Sequence, residues 1–437
     1  MVLGRRYKCK LLYKIIIKIE ERRQLELKTK YQYSYFIHPY VIDENKYSNY
    51  LLRLLKDKKC KLKIFEKEKD LNLYTYFLPT IKDFMFWTFN MDSTKQRTYE
   101  ELNDKMKANL LSKYPCTIFE YNLGEDVQGK IGEKNGIFFE VSKMEIICFN
   151  TGICFILIKT NLEETNNFSN LLNFNYKFRD INSEFISLKD YENIRLQTSS
   201  FKDIKDLSKI IKNITGTNKA AKELNIEDER FLTYSYVCIE QEHWNELNEF
   251  SSIEDEFIKY MNILPNSEMS NFDKSNINQN IVNLGKYAKL GMTKQGTVLF
   301  TSSVNMQNYT KLLFSYEREY LYTYILAIYK KIYLKKLGNE FAKSKYIESV
   351  RDEFVQFTQN VWIQEITNNI DGTNIYNKYS EIFELQYIYN DIKTKYDIYY
   401  KDSNIDKNRK INYLIVIVLL AILAVNIIGF AALVYRN

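Results

Sequence analysis

Proline and glycine are scarce in this chain of 437 residues, at 4 and 13. That scarcity argues against long flexible linkers. Histidine occurs twice, as His38 and His243, far apart in sequence. The six cysteines, at positions 9, 60, 116, 148, 154 and 238, form no Cys-x-x-Cys pair. Zinc-ligand spacing is therefore missing, and no metal or cofactor is expected. The thiols read as reduced and buried, as in a cytosolic protein.

Catalytic signatures are missing too. There is no Gly-x-Ser-x-Gly elbow. Gly124 to Lys130 matches most of a phosphate-binding loop, but Ile131 stands where the magnesium-holding Ser or Thr belongs. The following GEKNGIFFEV reads as turn and strand, so the helix N-terminus of such a cradle is lacking. His243, beside Trp244, reads as structural, and Glu254, Asp255 and Glu256 as a solvated helix face. Nothing points to the convergent groups that an enzyme needs.

What is present begins with charge. The formal net charge is +7, and residues 1–30 alone carry ten Lys/Arg against three Glu. A second basic run follows at Lys56, Lys58, Lys59, Lys61 and Lys63. Such an edge suits phosphates of a nucleotide or of lipid headgroups, or it is a solvated edge strand. Arg5, Arg6, Lys8, Lys10 and Lys14 are the candidate ligand-binding residues. Leu11 to Ile19 is broken by Lys14 and Lys18 and is no signal peptide.

The only long uncharged run is Tyr413 to Tyr435, 23 residues. About 20 residues of helix cross a hydrocarbon core of ~30 Å. The run therefore predicts one transmembrane helix. Lys407, Arg409 and Lys410 before it place the N-terminal side in the cytoplasm. Asn426 is its one polar residue. Ala421, Ile422, Ala424, Gly429 and Leu433 accompany it as candidate helix-packing or pore-lining positions.

Along the rest, strands are predicted at Tyr7–Ile19, Tyr33–His38, Lys61–Glu66, Leu73–Phe77, Thr117–Tyr121, Arg230–Ile239 and Thr297–Ser302. The clearest signal is a hairpin, Gly136–Phe149 and Ile153–Thr160, around the turn triplet Asn150-Thr151-Gly152. Helices are expected near 43–57, 99–112, 166–179, 203–213 and 245–262. Segment 265–296 reads as a loop. Val350, Phe354, Phe357 and Val361 form a helix seam, and Asp371-Gly372 a helix stop before a last helix from Ile375 to Tyr400. The expected plan is an α+β cytosolic domain (1–305) with a mainly antiparallel sheet, a helical stalk (306–410) and one C-terminal transmembrane helix (411–437).

FNTGICFILI (149–158) and RDEFVQFTQNVWIQEITNNIDGTNIYNKY (351–379) resemble segments of bacterial CorA-like membrane proteins. That resemblance implies a cytosolic domain, stalk helices and spans closed into a ring around a pore. The family's Gly-Met-Asn signature and second span are absent, so magnesium transport is not implied. In overall plan the chain also resembles membrane effectors of anti-phage defence of the Hailong type. The expectation that results is a homo-oligomeric inner-membrane channel, tetrameric or pentameric. Its gating ligand would be a nucleotide or short oligonucleotide made by a partner nucleotidyltransferase. The alternative is a tail-anchored scaffold or binding protein without channel activity.

Overall fold

The computed structural model describes residues 27–132, 136–162, 166–180, 193–198, 204–216, 230–240, 244, 250–268, 278–343 and 347–434. The expected strand at Tyr7–Ile19 and the candidate residues Arg5, Arg6, Lys8, Lys10 and Lys14 lie outside them, as do Cys9 and His243.

The elements begin with strand β1 (Thr29–Val41), helix α1 (Tyr47–Lys56) and strand β2 (Cys60–Leu62). Helices α2 (Leu71–Tyr76), α3 (Pro79–Met85), α4 (Ser93–Glu101) and α5 (Asp104–Leu111) follow, with a 3-10 turn at Trp87–Asn90. Next come β3 (Cys116–Tyr121), β4 (Gln128–Ile131), β5 (Ile137–Phe149), β6 (Ile153–Leu162) and α6 (Phe168–Phe178). Then β7 (Ile194–Gln197), β8 (Lys205–Asp206), α7 (Leu207–Thr215), β9 (Leu232–Ile239) and α8 (Glu254–Met261). Strands β10 (Ile281–Asn283), β11 (Ala288–Met292) and β12 (Gly296–Ser302) precede an all-helical run. That run holds α9 (Lys311–Ser315), a π-helical turn (Tyr316–Tyr320), α10 (Leu321–Lys343), α11 (Ile347–Asn360), α12 (Ile370–Ile382) and α13 (Leu385–Val434).

The strands make one mixed sheet in the order β10-β11-β12-β9-β1-β6-β5-β4-β7-β8, with β3 on β5 and β2 on β3. Its neighbours are antiparallel except β9 and β12. β5 serves two partners on one side, β4 through its first half and β3 through its second. The expected β5–β6 hairpin is present, with Cys148 opposite Cys154. Gly152 closes its turn at φ 81°, a conformation open to glycine. Pro39 sits in the central β1, but β9 begins at Leu232 opposite Ile37, so the missing N–H faces no strand there.

Both faces of the sheet are covered. On one, Phe36, Phe139, Phe174, Phe178 and Phe231 form the core under α6, with Phe36 stacked on Phe178 at 3.8 Å. Ser34 and Ser235 face each other there at 2.7 Å and are satisfied by Asn175 and Tyr260. On the other face, Tyr234 stacks on Tyr316 at 4.1 Å and Phe149 on Tyr329 at 3.8 Å. Lysine and glutamate lie among these rings. Glu145, 1% exposed, is held by Lys63 at 2.6 Å and Lys143 at 3.1 Å. Lys159 meets Glu317 at 2.6 Å.

The chain divides into two compact units, residues 1–333 with 364–383, and residues 334–363 with 384–437. In the second, Val350, Phe354, Phe357 and Val361 are buried as the seam predicts. Phe354 meets Tyr389 and Tyr396, each at 5.5 Å, and Trp362 stacks on Tyr389 at 4.3 Å.

Several expectations are corrected. Leu73–Tyr76 is helical, with only Phe77 extended and bridged to Thr367, and 265–296 contains two strands and the turn that starts a third. The helix expected at 99–112 is two, interrupted where Asn103 caps the second through Met106 N at 2.9 Å. Asp371-Gly372 lies in the first turn of α12, because Asn369 accepts from Gly372 N at 2.8 Å and starts the helix. Glu384, at φ 57°, separates α12 from α13.

The largest correction concerns the transmembrane helix that closed the expected plan. Among the described residues, no helix is long and apolar enough to cross a membrane. The single-pass inner-membrane placement with a cytoplasmic N-terminus falls with it. Ala421, Ile422 and Ala424 are exposed on α13, while the side chains of Asn426, Gly429 and Leu433 lie outside the described set.

The Glu145 clamp yields a prediction. Lys63→Met leaves a buried carboxylate with one ammonium instead of two, and should cost about 3 kcal/mol in urea unfolding. Adding Glu145→Gln to that variant should restore part of the loss.

Candidate functional site

A cavity of about 360 Å³ opens where α4, α5 and the 3-10 turn meet. Trp87 is placed by the turn and stacks on Tyr114 at 3.6 Å with an interplanar angle of 2°. Tyr99 adds a third ring, and Met91, Leu102 and Leu110 complete an apolar wall. Polar groups are few: Asn90, Thr94, Thr98 and Lys95.

Local chemistry fixes this arrangement. Asp92 caps α4 by accepting from Lys95 N at 2.8 Å, which presents Lys95, Thr98 and Tyr99 on successive turns. Lys95 Nζ donates to Asn90 O at 3.1 Å, and Asn90 Nδ2 to Asp83 at 3.2 Å. Thr98 Oγ1 donates to Thr94 O at 3.0 Å and keeps its lone pairs for an incoming donor. Burial, with Asp104 adding to it, pushes the Tyr99 phenol up to about 12, so it stays protonated.

Several titratable groups are perturbed outside the cavity, Glu319 and Lys330 among them. Glu319 is buried in the π-helical turn, its Oε2 lacks a hydrogen-bond partner, and burial raises its carboxyl above the ordinary range. Lys330, fully buried on α10, donates to Tyr376 at 2.5 Å, and burial lowers its ammonium to about 7. Glu145 is the opposite case. Burial raises its carboxyl, but Lys63 and Lys143 outweigh that and hold it below the usual range. Among the described residues no three His, Cys, Asp or Glu side chains could together hold a metal ion.

The residues singled out in sequence do not build this site. Lys63 of the second basic run is spent on Glu145, and Lys61 lies on the edge strand β2. The loop after Gly124 leads into β4, a strand, and forms no phosphate cradle. Sequence reasoning missed the cavity. Its only local trace was an aromatic-rich run, Phe84 to Phe89, in a chain already rich in aromatic residues.

No family model, no curated protein and no solved structure matches the chain. The CorA-like, ion-channel and defence expectations thus find no supporting relative, and the channel loses the span meant to line its pore.

Glu319 and Lys330 predict opposite pH effects. The raised Glu319 pKa means that the folded chain keeps a proton that the unfolded chain releases above about pH 4.3, so its contribution falls as pH rises. Glu319→Gln should therefore raise the urea midpoint at neutral pH and change it less in acid. The lowered Lys330 pKa means that the folded chain releases its proton first, so stability rises with pH from about 7 to about 10.4. Lys330→Met should flatten that rise, by up to about 1.4 kcal/mol per pH unit, and raise the midpoint most below neutrality.

Proposed function

We propose that this chain is a ligand-binding protein whose α+β domain takes a small, planar heteroaromatic group, the nucleobase of a nucleotide foremost, in the Trp87 cavity. The observation that carries this reading is the lining itself. Three aromatic rings and three aliphatic side chains surround a cavity of about 360 Å³, with four polar residues among them. Ligand pockets have this size and composition, apolar surface for affinity and a few polar groups for orientation. A flat ring gains offset-stacked or edge contact with Trp87, Tyr99 and Tyr114. Asn90 and Thr98 supply hydrogen bonds to ring heteroatoms, and Lys95 suits an electron-rich or anionic substituent. The unmatched sequence leaves this physical argument as its support.

The test uses Trp87 as its own reporter. The chain has three tryptophans, so Trp244→Phe with Trp362→Phe leaves Trp87 alone. Adenine and guanine nucleosides and nucleotides titrated into that variant should quench or shift its emission saturably. Leu110→Trp, scored by energy transfer to a fluorescent nucleotide, fills the cavity and should weaken binding more than tenfold, at least about 1.4 kcal/mol. Thr98→Ala should cost about 1 kcal/mol, one hydrogen bond. No saturable change with any of these compounds at about 1 mM, where even a weak −4 kcal/mol complex is visible, would sink the proposal.

A further inference from the structure

A second, separate feature lies at the other end of the α6–β9 connection. Arg179 follows the last turn of α6, and Arg230 stands just before β9. The fold brings them together: Phe231 N donates to Arg179 O at 2.7 Å, and Asp180 and Arg230 bridge as antiparallel neighbours. Arg179 is only 8% exposed. Its Nη1 donates to Gln295 Oε1 at 3.0 Å, and its guanidinium lies 4.7 Å from the Tyr176 ring centroid. Its Nε is buried and has no hydrogen-bond partner.

The charges do not balance. Asp180 is the one carboxylate paired with these arginines among the described residues, and it is held by Arg230 at 2.9 Å. A positive side chain at a helix C-terminus is favoured by the helix dipole, which accounts for one cation, not two. Burial first, and the neighbouring Arg230 second, disfavour the charged form of Arg179. Arginine does not escape by losing its proton, so the cost persists unless an anion offsets it. Arg230 and Asp180 themselves are 44% and 26% exposed.

We infer that Arg179 and Arg230, with Gln295 at the β11–β12 turn, form a binding site for a small phosphate-bearing anion. The guanidinium fork matches two oxygens of a phosphate, and the Nε–H of Arg179 is a desolvated donor without a partner among the described residues. Lys294, next to Gln295 in the same turn, adds positive charge. None of these residues lines the aromatic cavity, so the two sites are tested independently.

The experiment is calorimetric titration of inorganic pyrophosphate, a probe without a ring, into the full-length chain at constant ionic strength. Saturable binding is expected in the wild type. Arg179→Gln and Arg230→Gln should each weaken it at least tenfold, and Lys69→Gln, an exposed lysine elsewhere, should not change it. Absence of saturable binding in the wild type, unchanged binding in Arg230→Gln, or an equal loss in Lys69→Gln overturns the site. If circular dichroism shows that Arg179→Gln does not fold, the partly exposed Arg230→Gln and the turn variant Gln295→Ala decide between the same outcomes.

Discussion

Burial of the β5–β6 hairpin on both faces is the constraint from which the first unit follows. Residues from Met144 to Phe149 and from Ile153 to Ile158 are all buried, so neither face of this ribbon meets water. A strand pair covered on both sides requires partners on both sides. The phenylalanine-rich face takes α6. The other face takes the π-helical turn and α10. That second face also carries Lys143, Glu145 and Lys159, whose charges become costly once covered. Lys63, from before the hairpin, and Glu317, from far after it, complete the neutralisation. Segments distant in sequence are thus tied to the hairpin by the need to pair its charges.

Tyrosine solves a related problem. The chain has 36, a number that compositional bias alone makes unremarkable as a functional signal. Placement gives some of them a definite task. Tyr33, Tyr35, Tyr234 and Tyr236 line the covered face in register across β1 and β9. Their rings fill the layer, and their hydroxyls reach out of it. Tyr234 donates to Tyr316 O at 2.7 Å and Tyr236 to Asn308 O at 2.9 Å, while Tyr316 donates back to Thr297 O at 3.1 Å. Two carbonyls between residues 305 and 320, Asn308 O and Tyr316 O, thus find their donors in tyrosines of the sheet, which helps an irregular π-helical turn to be tolerated in a buried place.

Sequence showed the hairpin because two strong local signals agreed there, alternating or continuous apolar strands and a turn triplet with glycine. It misread Leu73–Phe77, where five residues are too few to separate a helical from an alternating pattern and α2 is held by Tyr76 and its contacts to Thr323 and Thr367. It read 265–296 as loop because β10 is only three residues long and follows an asparagine-rich stretch, and pairing with β11 makes it a strand. The apolar terminal run was visible as a helix, but its length as a membrane span was inferred from composition alone. The cavity was illegible for another reason: stacking of Trp87 on Tyr114 depends on how α4 and α5 fold back, which no local pattern records.

The contrast between Glu145 and the Arg179–Arg230 pair separates a group that serves architecture from one that suits a ligand. Both are ionised groups taken out of water. Glu145 has two ammoniums within 3.1 Å and is held in its charged form, so its network closes on itself and asks for nothing further. Among the described residues, the arginine pair has one carboxylate for two guanidiniums and a buried donor left over. A closed network explains a fold. An open one, with an imbalance of definite sign, points to the charge and hydrogen-bonding character of what would complete it. The aromatic cavity obeys the same logic with neutral groups, since its rings already pack on one side and leave apolar surface uncovered on the other. The ligands proposed for these two places, a flat ring in one and an oxyanion in the other, are chemically narrower than anything the composition of the chain could indicate.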